Sequence, residues 1–179
     1  MKVYVAGKMS AHSEFSSHEW RDEFLSELSE LSGISFVSYD PTLGTKDYQD
    51  SELVFGSDVH MISQVDLVIV YLSDDISVGA SQEILIAKYY SKPVIAFAKP
   101  GSKFKVPSKE IAGTIIKDYR HPFVYSTCDL VCEDMEELAE ALKHIDEMEV
   151  KTLDIIKNAN ARFEKLHLEN KLYQTKTIK

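Results

Sequence analysis

DLVIVYLSDDISVGASQEILIAKYYSKPVIAFA, residues 66–98, holds two apolar runs separated by one helix-length segment. DLVIVYL (66–72) and PVIAFA (93–98) are almost continuously apolar, as central strands buried on both faces are. The stretch near 80–91 has the length and pattern of a helix. A strand, a helix and a second strand in so short a span make a parallel crossover unit. The turn that opens the helix, SVGASQE (77–83), consists of small residues and ends in a carboxylate.

The same alternation extends in both directions. Strand-like runs occur at KVYVAG (2–7), ISFVSY (34–39) and HPFVYS (121–126), and helical patterns near 16–31, 51–64, 107–117 and 133–146. The pattern predicts an α/β fold, a flavodoxin-like doubly wound parallel sheet of five strands in the order 2-1-3-4-5. Residues 1–146 form the α/β domain. Residues 147–179 form a helical extension, with Val150, Leu153, Ile156, Ala159, Phe163, Leu166 and Leu168 near helical spacing. In the first helix, Trp20, Phe24, Leu25, Leu28 and Leu31 mark the core face. Glu19, Arg21, Asp22, Glu23, Glu27 and Glu30 mark the solvent face, and Gly33 suits a C-terminal cap.

Composition narrows the function classes. The chain has 179 residues and a formal net charge of -9. Such a charge disfavours a broad grip on a nucleic-acid polymer or an anionic membrane. No apolar run has the length of a bilayer span. MKVYVAG reads as a strand, not as a signal sequence. Cys128 and Cys132 are the two cysteines, with no histidines placed to complete a zinc site, so structural thiols in a reducing cytoplasm are expected. The six histidines, His12, His18 and His60 among them, show no metal-ligand spacing. No metal and no cofactor is expected.

In an open parallel sheet, ligands bind beyond the carboxyl ends of the strands, where strand order reverses. Gly7-Lys8-Met9-Ser10 follows the first strand and Ser77-Val78-Gly79 follows the third, so these loops converge. Gly7 and Gly79 permit close backbone approach. Neither loop carries the dinucleotide or P-loop fingerprint. Glu83, on the helix after Gly79, and Asp58, on the helix leading into the third strand, are candidate carboxylates. Either is also an ordinary helix residue by spacing alone. Tyr4 and Met9 read as core ahead of the alternative, packing beside a ligand. Two irregular segments stand out: YDPTLGTKDYQD (39–50), and KPGSKFKVPSK (99–109), which holds Lys99, Lys103, Lys105 and Lys109. Long loops in compact domains are often functional. The lysine segment reads as a solvated loop or as a rim that attracts an anion.

Four stretches in order, VYVAGKMS, DVHMISQVDLVIV, SVGASQEILIAKYYSKPVIAF and, more loosely, VPSKEIAG, resemble the nucleoside 2-deoxyribosyltransferase family over roughly residues 2–125. The resemblance implies that Glu83 is a nucleophile that displaces the base from a deoxyribosyl group, forming a glycosyl ester. It implies that Asp58 lies near the leaving base and the sugar. This is the two-carboxylate logic of retaining glycosidases. Ser77 stands where transferases of free nucleosides usually carry Asp. In this it is similar to the 2'-deoxynucleoside 5'-monophosphate N-glycosidases, where the serine contacts phosphate. An aspartate ~4 Å from a phosphate would repel it by roughly 4 kcal/mol per charge pair at intermediate dielectric. Lys8 and Ser10 add charge and donors, although Lys8 departs from the expected Ser. Ser81 replaces a Gly, and Ser108 matches, with a one-residue gap, a serine that reaches a neighbouring subunit's site. The implied partner is a small nucleoside or nucleotide, and the implied assembly is a homodimer or larger. Base exchange between deoxynucleosides is the alternative, and a non-catalytic nucleotide-binding module is the rival from another class. A receiver-type domain would need an acidic cluster after the first strand, and Gly7-Lys8-Met9 has none.

Overall fold

A computed structural model describes residues 1–8, 20–45, 47–72, 76–168 and 178. In chain order the elements are β1 (Lys2–Ala6), α1 (Trp20–Ser32), β2 (Val37–Ser38), α2 (Ser51–Gln64), β3 (Leu67–Leu72), α3 (Val78–Tyr89) and β4 (Val94–Ala98). They continue with β5 (Lys105–Ile111), β6 (Thr114–Arg120), α4 (Pro122–Thr127), β7 (Leu130–Cys132), α5 (Met135–Lys143) and α6 (Asp154–Phe163). Among the described residues, five strands form one parallel sheet in the order β2-β1-β3-β4-β7.

Alternation along the strands gives the sheet two buried faces. Tyr4, Ala6, Val68, Val70, Val94 and Ala96 pack with Ile62, Ile84 and Val124 on one face. Val3, Val5, Ile69, Tyr71, Ile95 and Phe97 pack with Trp20, Phe24, Leu28, Leu138 and Leu142 on the other. Cys128 belongs to the first cluster and Cys132 to the second. Burial pushes both free thiols up to about 12, which leaves them inert. Gly33 ends α1 at φ +73°, its N–H donating to Ser29 O.

Three expectations are corrected. The fifth sheet strand is Leu130–Cys132, and HPFVYS forms α4 instead. Pro122 sits at the first helical position, where its fixed φ and missing N–H suit a helix start. The segment near 107–117 is an antiparallel hairpin, β5 with β6. Ala112 and Gly113 both have positive φ, the requirement of a tight two-residue hairpin turn, and a helix ending in that pair cannot continue. The lysine segment therefore runs into a projecting ribbon, where Lys109 lies over the Tyr119 ring. Arg21 is not on the solvent face of α1; it is 1% exposed.

A buried ion pair between Lys88 and Asp129 fastens the end of α3 to the sheet. Asp129 also accepts from the backbone N–H groups of Val94 and Lys151, both at 2.7 Å. Lys151 Nζ donates to the carbonyls of Tyr125 and Cys128. One carboxylate thus joins α3, β4, the start of β7 and the chain entering α6.

Candidate active site

The carboxyl ends of β1, β2 and β3 open into a cavity of about 350 Å³. Gly7 lines it after β1, Pro41, Thr45 and Tyr48 after β2, and Ser77 and Gly79 after β3. Val54, Ser57 and Asp58 of α2 and Glu83 of α3 complete the wall. The long connection after β2 is therefore part of the pocket. Gly44 lets it lie against α2, because a Cβ there would fall 2.6 Å from Ser57 Oγ.

Local sequence aims each carboxylate. Asp50 caps α2, accepting from Leu53 N–H at 2.9 Å, and Asp58 follows two turns later. Ser77 caps α3 through its Oγ, which accepts from Ala80 N–H at 3.0 Å. A Cβ on Gly79 would lie 3.4 Å from Glu83 Oε1, an ordinary van der Waals contact, so this position borders the carboxylate without crowding it. Within SVGASQE, Ser77 thus serves as the cap and Glu83 as the acid on the cavity wall.

Glu83 Oε1 accepts a hydrogen bond from the Tyr4 hydroxyl at 3.1 Å. Oε2 is buried with no hydrogen-bond partner among the described residues. Burial raises the Glu83 carboxyl to about 7; the Tyr4 hydrogen bond and the Arg21 charge oppose the rise and the Asp58 charge adds to it. Burial also raises Asp58, with Arg21 opposing. Tyr4 is pushed upward by burial and by the Glu83 carboxylate, so it stays a protonated donor. One carboxyl is oriented by a phenol, keeps an unpartnered second oxygen, and belongs to the wall of a cavity shared with another acid. That arrangement suits nucleophilic or acid–base work at a carbon centre.

The structure brings together Gly7, Asp58, Ser77, Gly79 and Glu83. Lys8 lies beside this group without lining the cavity, and its carbonyl accepts from Trp20 Nε1 at 3.2 Å. Ser81 lines a separate apolar cleft on the other side of α3, where its hydroxyl donates to Val78 O at 2.7 Å. Ser108 is exposed on β5, paired with Lys117, away from the cavity. Ser10, Met9, His12 and His18 lie outside the described residues, and His60 is exposed on α2. Two contributors carry roles the sequence did not assign them: the Tyr4 hydroxyl, expected first as core, and the buried Arg21, expected on the solvent face. Among the described residues, no group of three His, Cys, Asp or Glu side chains is placed to hold a metal ion. No described helix is long and apolar enough to cross a membrane.

With this geometry in view, the fold can be matched. No family model matches the sequence, and no curated protein does. Solved structures do. A conserved protein from Enterococcus faecalis superposes with a TM-score of 0.58 at 18% identity, covering 80% of this chain and 98% of that one. A 2-deoxyribosyltransferase from Bacillus psychrosaccharolyticus gives 0.55 at 16% identity, over 85% and 98%. The chain has the nucleoside 2-deoxyribosyltransferase fold. A third structure, the 2-desoxiribosyltransferase from Leishmania mexicana, gives 0.52 at 16% identity, over 80% and 97%.

Proposed function

We propose that the chain cleaves the N-glycosidic bond of a (deoxy)nucleoside 5'-monophosphate, with Glu83 as nucleophile. The observation that carries this reading is the Glu83 carboxyl, tethered by Tyr4 at one oxygen and unpartnered at the other inside a cavity shared with Asp58. The Glu83 carboxylate forms a bond to the anomeric carbon as the carbon–nitrogen bond to the base breaks. Asp58, whose proton affinity burial raises, protonates the departing base. Water then attacks the glycosyl ester, Asp58 takes its proton, and Glu83 is released. Ser77 favours a monophosphate: its oxygen caps α3 and its own proton is left for a phosphate oxygen beside the first N–H groups of the helix. Ser108, exposed on the hairpin, is suited to a neighbouring subunit's pocket. Lys8 and Ser10 are assigned to the phosphate side.

A second reading, base exchange between deoxynucleosides, draws support from the cavity wall, which carries no Lys or Arg among the described residues and suits an uncharged nucleoside. Base release and new-nucleoside formation, followed by chromatography with nucleosides and monophosphates, each with and without a second free base, separate the two. Release from monophosphates alone, lost in Glu83→Ala, supports the glycosidase. A new nucleoside formed only with added base establishes the exchange. No turnover in any arm favours the non-catalytic binding module.

A homo-oligomeric, cytoplasmic enzyme fits the same reading. The extension beyond residue 146 contributes α6, which buries no residue of its own and borders an apolar cleft of about 580 Å³ with α3 and α4. Phe123 and Ile156 on that cleft are 78% and 55% exposed. Light scattering on the purified protein should return at least twice the 20.3 kDa chain mass.

A further inference from the structure

Arg21 is a cation in the core, and its surroundings connect it to the carboxylates of the cavity. Its Nε donates to Val5 O at 2.9 Å, and its Nη2 reaches Gly7 O at 3.4 Å and Lys8 O at 3.3 Å. The guanidinium carbon lies 4.4 Å from the centre of the Trp20 ring. Trp20 in turn packs against Gly7, where an added Cβ would come within 2.9 Å of the indole. Two adjacent residues at the start of α1 therefore grip the end of β1 and the backbone on either side of Gly7, which lines the cavity.

Three backbone carbonyls do not satisfy a buried guanidinium. Nη1 is buried with no hydrogen-bond partner among the described residues. A charge taken this far out of water needs counter-charge to be tolerated. The charged and titratable groups acting on it are Asp40 at the end of β2, Tyr4 on β1, Glu83 on α3 and Asp58 on α2. Burial lowers the proton affinity of Arg21, and these groups oppose the change. The coupling is mutual, because Arg21 lowers the proton affinity of both Glu83 and Asp58.

We propose that Arg21 is a positioning residue for Glu83: from behind β1 it fixes the Val5–Lys8 backbone under the cavity and supplies the counter-charge that lets two carboxylates share it. This rests on the assignment of Glu83 as nucleophile, but Arg21 has no role in contacting substrate. A merely structural clasp would hold the same backbone without altering how Glu83 titrates.

The test is a titration of Glu83 in the free protein by isotope-edited infrared spectroscopy, with Glu83→Gln identifying the band. It is read in wild type, Arg21→Met, Arg21→Gln and Arg21→Lys, and thermal melting establishes the fold of each. This readout needs no substrate, so a protein that releases no base still reports on Arg21. In Arg21→Met or Arg21→Gln the midpoint should rise from about 7 by about one unit or more, the effect of removing a nearby opposite charge. Arg21→Lys, which keeps the charge, should stay within about half a unit of wild type, well inside that effect. Where base release is measurable, the acid limb of kcat/KM should move with the midpoint. An unmoved midpoint in a folded neutral variant overturns the proposal. So does a shift in Arg21→Lys equal to that of Arg21→Met. Loss of cooperative melting in both neutral variants overturns it as well, leaving Arg21 as a clasp of the fold alone.

Discussion

Replacing Tyr4 by Phe removes one hydroxyl and leaves a ring of nearly the same shape in the core. The hydroxyl donates to Glu83 Oε1 at 3.1 Å and so favours the ionised carboxyl. A hydrogen bond to a charged group contributes about 1.5–3 kcal/mol, and about 1.4 kcal/mol corresponds to one pKa unit. Loss of the bond should therefore lift Glu83 from about 7 by roughly one to two units. A nucleophile must be ionised, so the reactive fraction at pH 7 falls from about half to between roughly one tenth and one hundredth. Base release at pH 7 should drop about five- to fiftyfold and recover as pH is raised toward 9. The assay is kcat/KM for base release across pH 5–9, with the carboxyl band titrated in parallel. A Tyr4→Phe enzyme with an unchanged or lower acid limb would refute the idea that the phenol holds Glu83 in its charged form. A uniform loss at every pH would assign Tyr4 to geometry alone.

Other outcomes follow from the same contacts. Glu83 titrates near 7 in the fold against an ordinary 4.5, so the folded state holds more protons between these values. Its contribution is intact below about 4.5 and lost as pH rises through 7, a cost of about 3 kcal/mol. Urea denaturation of Glu83→Gln should match wild type near pH 4.5 and exceed it by about that amount near pH 8. Asp129→Asn leaves Lys88 buried without its counter-charge and should cost about 3–5 kcal/mol in the same assay, while adding Lys88→Met, which removes the unpaired cation and keeps a side-chain acceptor for the Val94 or Lys151 N–H, should restore part of it. Gly7→Ala forces a Cβ to within 2.9 Å of Trp20, which overpacking prices at about 1–3 kcal/mol. The emission of Trp20, the single tryptophan, should shift with it.

The central crossover unit was legible because both signals in it were strong. DLVIVYL and PVIAFA became β3 and β4, buried at every position, and α2 covers the expected 51–64. The hairpin was not legible as a helix-or-strand choice, because Ile111, Ala112, Ile115 and Ile116, spaced i, i+1, i+4 and i+5, also satisfy a helical period. The deciding signal was the Ala112–Gly113 turn. HPFVYS failed for the opposite reason: aromatic and β-branched residues mimic a strand, and Pro122 alone marks a helix start. At the site, Gly7, Asp58, Ser77, Gly79 and Glu83 were found from motif order, and their meeting in one cavity follows from strand reversal. Arg21 was misplaced although a clue existed. It falls in register with Leu25 and Leu28, on the apolar stripe, and a cation on a buried stripe needs a buried partner. Tyr4 carried a similar clue, since a tyrosine inside an all-buried strand must place its hydroxyl against something polar.

The location of that cation matters for the proposed chemistry. Departure of a base leaves positive charge on the sugar ring, and carboxylates near the anomeric carbon stabilise it. An arginine lining the cavity would oppose this charge directly and would hold Glu83 in an ion pair. Placed behind β1, Arg21 touches backbone carbonyls and acts on the acids only through its field. Burial then raises Glu83 toward neutrality of the medium and the cation limits the rise, so a usable fraction stays ionised with Oε2 unpaired. A carboxylate with a full ion pair would be ionised and less nucleophilic, and one with burial alone would be protonated. The arrangement lies between these limits, and moving the charge forward into the cavity, for example with Val54→Lys, should depress the Glu83 midpoint while lowering kcat.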